Sequence, residues 1–155
     1  MMKQRINAYE KGPGALQALA GLGQYLAKSQ VEQPLLNLIY FRISQINGCA
    51  YCLDMHSKDL RAAGETEQRL YLLDAWREAP LYTDRERAAL AWAESVTKIT
   101  GGDVPDVVYE NARTHFSDED LVALTVAITT INTYNRINIA FRVPAGSYKP
   151  GAHNV

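Results

Sequence analysis

The last long segment of this chain limits its fold more than any other feature. Ser117-Asp118-Glu119-Asp120 leads into LVALTVAITTINTYNRINIAF, running from Leu121 to Phe141. β-Branched residues are frequent in it, and by propensity alone it would read as strand. Its length is far beyond that of an ordinary strand. Its start also carries a serine cap and three acids at the favourable end of a helix dipole. Length and cap together predict a helix whose burial overrides propensity.

The rest of the chain reads as helix as well. Leu16, Leu19, Leu22, Tyr25 and Leu26 recur at three- and four-residue spacing, an amphipathic stripe that opens after Gly12-Pro13-Gly14 and ends near Lys28-Ser29. Pro34 suits the first turn of the next helix, in which Leu35, Leu36, Leu38, Ile39, Phe41, Ile43 and Ile46 occupy more than one stripe. Asn47-Gly48 stops it, and a new helix runs from about Cys49 to Ala63, ended by Gly64. A short helix follows over Glu67 to Asp74, extending at most to Trp76. Thr83-Asp84-Arg85-Glu86 matches a capping box before the alanine-rich helix of Ala88 to Val96. Pro105 opens another helix carrying Val107, Val108, Tyr109 and Ala112. Residues 1–12 leave arm and helical turn both open, and Pro144 to Gly151 form an irregular tail with a partner as one candidate contact. The expected fold is all-α, a single domain over residues 1–155 with about six to seven helices.

Charge and hydropathy narrow the function classes. The formal net charge is −1, and no basic run interleaved with aromatics suggests a nucleic-acid groove. No apolar run approaches the length that spans a bilayer, and the first residues lack the apolar core of a signal peptide. A cytoplasmic protein without nucleic-acid or membrane partners is expected. No Gly-rich phosphate loop is present, so no nucleotide cofactor is expected.

Reactive chemistry concentrates in SQINGCAYCLDMHSKDLRAAG, from Ser44 to Gly64. It holds both cysteines of the chain, Cys49 and Cys52, and His56, one of three histidines. In the cytoplasm such a pair is more often catalytic or metal-binding than a structural staple. A cysteine at a helix start faces unpaired backbone N–H groups that favour the thiolate. His56, one turn past Cys52, is placed to accept its proton or to pair with its thiolate. Two cysteines separated by two residues can close into a disulfide, so the pair can cycle between dithiol and disulfide. Three alternatives stay open at this point. Two thiolates and His56 supply three ligands of a zinc site, with His115 or His153 as the fourth. The thiols can be inert core residues. His56 can be an ordinary, satisfied helix histidine.

Ser44-Gln45-Ile46-Asn47-Gly48-Cys49-Ala50-Tyr51-Cys52, with His56 after it, closely resembles the alkyl hydroperoxidase D (AhpD)-like branch of the carboxymuconolactone decarboxylase superfamily. GETEQRLYLLDAWREA, TDRERAALAWAESVT and Asn135-Arg136 extend the resemblance over nearly the whole chain. It implies an AhpD-like helical fold assembled as trimers or hexamers. It also implies a peroxidase that reduces hydroperoxides with a dithiol reductant. Carried over by residue, Cys52 matches the peroxidatic cysteine, Cys49 the resolving one and His56 the proton relay. Two positions depart from the pattern. Asn37 stands where the family commonly has a glutamate, twelve residues before Cys49, and an amide cannot serve as a carboxylate base. Tyr51 stands where some members carry a second histidine. The decarboxylases of the superfamily lack the CxxC pair, which argues against that activity here.

Asn37 and Tyr51 are therefore relay or pocket candidates. Asn37 alone motivates a second function class, a redox-responsive assembly protein with little turnover. Asn135 and Arg136 stand out as polar in an apolar helix, with pocket, subunit contact and, for Arg136, a helix surface as the options. Trp76 and Trp92 read as core or interface. Glu94 is typical of the resembling family and has no role assigned from sequence.

Overall fold

Gly48 adopts φ 68°, a left-handed conformation that glycine enters without a Cβ penalty, and this one residue turns the chain from one central helix into the next. The computed structural model describes residues 3–152, so His153 lies outside the described residues. Among them are eight α-helices and no strand: α1 Ala8–Lys11, α2 Pro13–Leu26, α3 Gln33–Asn47, α4 Ala50–Ala62, α5 Glu67–Leu72, α6 Asp84–Thr97, α7 Asp106–Arg113 and α8 Asp118–Phe141. A single 3-10 turn, Leu73–Ala75, extends α5. The seven helices expected from sequence are all present. The eighth, α1, is one turn capped by the Asn7 side chain, in the segment where arm and helical turn were both open. No helix among the described residues is long and apolar enough to cross a membrane.

α3 is the hub. It packs against α4, α6 and α8, and Leu36, Leu38, Ile39 and Ile43 are almost wholly shielded. Burial on several sides is what its unstriped apolar pattern requires. α8 lies along α2, α3 and α6 and contributes Leu124, Ala127 and Ile128 to the core. Its threonines do not break the helix. Thr125 and Thr130 donate their hydroxyls to the carbonyls of Leu121 and Val126, each four residues back, at 2.7 Å. Thr83 and Glu86 form the expected capping box at the start of α6, with both reciprocal bonds made.

Polar groups fix how these helices register. Buried Glu94 of α6 accepts from Arg42 Nε of α3 at 2.8 Å, from Trp76 Nε1 at 2.9 Å and from Arg77 at 2.7 Å. Arg42 also reaches Gln45 and Asp74. Burial pushes the Glu94 carboxyl up, but the bonds from Trp76, Arg77 and Arg42 together hold it below its ordinary value. Asn135, fully buried on α8, accepts from Asn47 Nδ2 at 2.9 Å and donates to Ser44 Oγ at 3.1 Å. The end of α3, immediately before Cys49, is thereby pinned to α8. Trp92 is core, with its indole N–H donated to Thr125 Oγ1 at 3.0 Å. Arg136 is exposed and bonds back to Asn132, the helix-surface reading.

The tail does not project. It lies against α4 of its own chain, where Gly146 N–H donates to Asp54 at 2.9 Å and Lys58 Nζ donates to the carbonyls of Gly146 and Tyr148. Tyr148 is buried, and its hydroxyl donates to both carboxylate oxygens of Asp59, at 2.9 and 3.0 Å.

Candidate functional site

Cys49 is the N-cap of α4 and Cys52 its third residue. The cap geometry follows from Gly48. Its left-handed turn lets Cys49 N–H bond back to Ser44 O and sends the chain straight into a second helix. The backbone N–H of Cys52 donates to Cys49 Sγ at 3.4 Å, so a sulfur occupies the place that a serine or aspartate oxygen fills at other helix starts. The two sulfurs are at disulfide-bonding distance. Both cysteines are 1% exposed.

Cys52, His56, Asn37 and Tyr51 all line one cavity of about 550 Å³. Four of the five residues singled out from sequence thus converge. The fifth, Cys49, sits behind Cys52 and is not among the lining residues. The cavity is lined by α1, α2, α3, α4, α8 and the tail, with Leu16 and Leu19 of α2 and Ile131 of α8 forming its apolar walls.

His56 is buried, and its ring lies 5.5 Å from that of Tyr40. Burial lowers its pKa to about 4, so the imidazole is neutral while the cysteines are oxidised. Its Nε2 is buried and has no hydrogen-bond partner among the described residues. Burial also pushes the Tyr40 phenol up to about 12, with Tyr134 adding to it. Asn37, partly buried, accepts from Gln33 Nε2 at 2.9 Å. Its neighbour is therefore a second amide.

Sequence reasoning missed Asn138. From α8 its Nδ2 donates to Cys52 Sγ at 3.3 Å, and its Oδ1 is buried without a partner among the described residues. The available signal was a polar residue three positions after Asn135, on the same buried face of a mainly apolar helix. Of that pair Asn135 ties α3 to α8, and Asn138 is the one at the sulfur. Tyr148 was missed too, since only the folded-back tail brings it to the cavity, and so was Asp59, which α4 carries seven residues past Cys52 on the same face. His115 stands between α7 and α8, with its carbonyl accepting from Arg85. No group of three or more His, Cys, Asp or Glu side chains is placed to hold a metal among the described residues.

The arrangement offers a cysteine in the cavity lining, a second sulfur able to bond to its sulfur, a donor to that sulfur, and a neutral imidazole one turn away. Chemically it suits two-electron thiol–disulfide exchange.

The comparisons with known proteins agree with this fold. Residues 13–95 match the model of the carboxymuconolactone decarboxylase family. The uncharacterized YdfG of Bacillus subtilis is 42% identical over 146 residues, 94% of this chain and 99% of that protein. ATU0492 of Agrobacterium tumefaciens, a protein of unknown function with a suggested AhpD role in antioxidant defence, superposes with a TM-score of 0.89 and 46% identity, covering 94% of this chain and all of that one. An uncharacterized peroxidase-related protein from Silicibacter superposes at 0.79 with 26% identity, over 90% and 74% of the two chains. From its matched core to its full-length relatives, this protein belongs to the carboxymuconolactone decarboxylase family, in the AhpD-like branch.

Proposed function

We propose that this protein is a thiol-dependent peroxidase that reduces hydroperoxides through a Cys49–Cys52 dithiol–disulfide cycle. The observation that carries the reading is the position of Cys52. Cys52 lines the cavity, its sulfur accepts from Asn138 and lies at disulfide distance from that of Cys49, and Cys49 is not among the lining residues.

In the reduced protein Cys52 gives its proton to His56 and attacks the terminal oxygen of the hydroperoxide. Proton transfer to a buried imidazole is costly alone, but the thiolate formed beside it offsets that cost as an ion pair. The O–O bond breaks, the alkoxide takes the proton from His56 and leaves as alcohol, and Cys52 becomes a sulfenic acid. Cys49 then attacks the Cys52 sulfur, water departs, and the disulfide forms. An external dithiol returns two electrons and two protons by exchange and becomes a disulfide itself. Asn138 stabilises the Cys52 thiolate through its N–H, a charge-assisted bond stronger than a neutral one.

The test is hydroperoxide consumption with a dithiol reductant in excess. Cys52→Ser is expected to abolish turnover, and Cys49→Ser to leave at most a single oxidation of Cys52. Full activity in Cys52→Ser sinks the reading.

A further inference from the structure

We propose that the cavity over Cys52 selects uncharged ligands with an aromatic body and one hydroxyl-type head, and rejects carboxylates. The identity of that ligand as a hydroperoxide rests on the peroxidase reading above, whereas its shape and charge do not.

Size comes first. A cavity of about 550 Å³ lies within the range of sites for organic molecules. Hydrogen peroxide would fill only a small part of it, since one water takes roughly 30 Å³ in the liquid. The walls come next. Tyr9, Tyr40, Tyr51, Tyr134 and Tyr148 all line it, from α1, α3, α4, α8 and the tail. Five rings brought from five separate segments present faces and edges that favour an aromatic guest in stacked or edge-on contact.

Charge is the third constraint. No Lys or Arg lines the cavity among the described residues, and the acid that does is Asp59. Lys58 is adjacent in sequence, but its ammonium is committed to Asp54 at 2.7 Å and to the carbonyls of Gly146 and Tyr148. A carboxylate entering the cavity would be desolvated beside Asp59 with no cation to meet it. The floor sets the head group. Asn37, His56, Thr130 and Asn138, neutral side chains that can hydrogen-bond, line the cavity together with Cys52. A hydroxyl or hydroperoxyl group, donor and acceptor at once, satisfies such a floor.

The experiment separates binding from turnover. Cumyl alcohol and its para-carboxylate are titrated into the full-length disulfide protein by NMR, where neither probe can react. The alcohol is expected to bind at least about tenfold more tightly. Met55→Lys, which puts a cation into the same wall, is expected to erase or invert that preference. Asp59→Asn narrows it if the tail stays in place, and Met55→Lys carries the test if it does not. Equal or tighter binding of the carboxylate by the unmodified protein overturns the proposal, as does failure of the folded protein to bind the alcohol. If the alcohol binds with the expected preference but hydroperoxides are not consumed, the peroxidase reading falls and the cavity's selectivity stands. If hydroperoxides are consumed without charge preference in kcat/KM, the selectivity falls alone.

Discussion

Asn138 donates its side-chain N–H to Cys52 Sγ at 3.3 Å across a sequence separation of 86 residues. It is a neutral donor, so it favours the thiolate over the thiol without burying another charge. Replacement by leucine keeps the bulk and removes the bond. A hydrogen bond to a charged group contributes roughly 1.5–3 kcal/mol. Asn138→Leu is therefore expected to slow alkylation of Cys52 at neutral pH by about tenfold or more and to move its pH profile upward. Unchanged alkylation kinetics would show that the contact does not act on the thiolate.

His56 makes the oxidised protein acid-sensitive. Its folded pKa is about 4 because burial disfavours the imidazolium, whereas the unfolded value is near 6.5. Between those values the unfolded chain binds a proton that the folded chain does not, so stability falls as pH drops through this window. The complete loss is about 3 kcal/mol. The lowered carboxylates, Glu94, Glu32 and Asp54, act only at lower pH. Urea midpoints followed from pH 7 to 5 should decline in the unmodified protein and stay flatter in His56→Gln. Parallel slopes would assign the acid loss elsewhere.

Asn37 shares the cavity with Cys52 and His56, and its side-chain oxygen accepts from Gln33. A carboxylate there could take up the proton that His56 receives, which an amide cannot. Asn37→Glu is expected to raise the peroxidase rate, by the roughly 10²-fold that a positioned acid–base group contributes at the low end. Brisk turnover by the unmodified protein with no gain in the variant would mean that His56 suffices. A large gain from near-zero turnover would favour the redox-responsive assembly class.

Glu94 holds α3, α6 and the turn around Trp76 together. Glu94→Ala leaves the buried Arg42 guanidinium without its main carboxylate. Breaking such a pair from one side typically costs roughly 3–5 kcal/mol. Chemical denaturation should show a loss of that size, with Glu94→Gln less affected because the amide oxygen still accepts from Trp76. A loss below about 1 kcal/mol would mean that water screens the cluster.

Much of the architecture was legible before any coordinates. Gly48 as the stop of α3, Thr83 and Glu86 as the start of α6, and Ser117 as the cap of α8 are signals within four residues of where they act. Such signals involve only local backbone geometry and local hydrogen bonds, so neighbours in sequence carry them complete. The same holds for the placement of Cys49 and Cys52 at the start of α4 and of His56 one turn on.

Only packing decided the rest. Nothing local to Asn135 or Asn138 says which of two polar residues on one face meets a sulfur. The register of α8 against α3 and α4 decides it, and that register depends on the fit of Leu124, Ala127 and Ile128 among side chains far away in the chain. Likewise, Tyr148 reaches the cavity and bonds to Asp59 of α4 because the tail folds back onto that helix, a long-range docking that no periodicity encodes. By itself the sequence determined a helix-start dithiol with a histidine beside it. Tertiary structure determined which cysteine lines the cavity, what donates to its sulfur and which side chains surround it, since these depend on groups that meet only when distant helices pack.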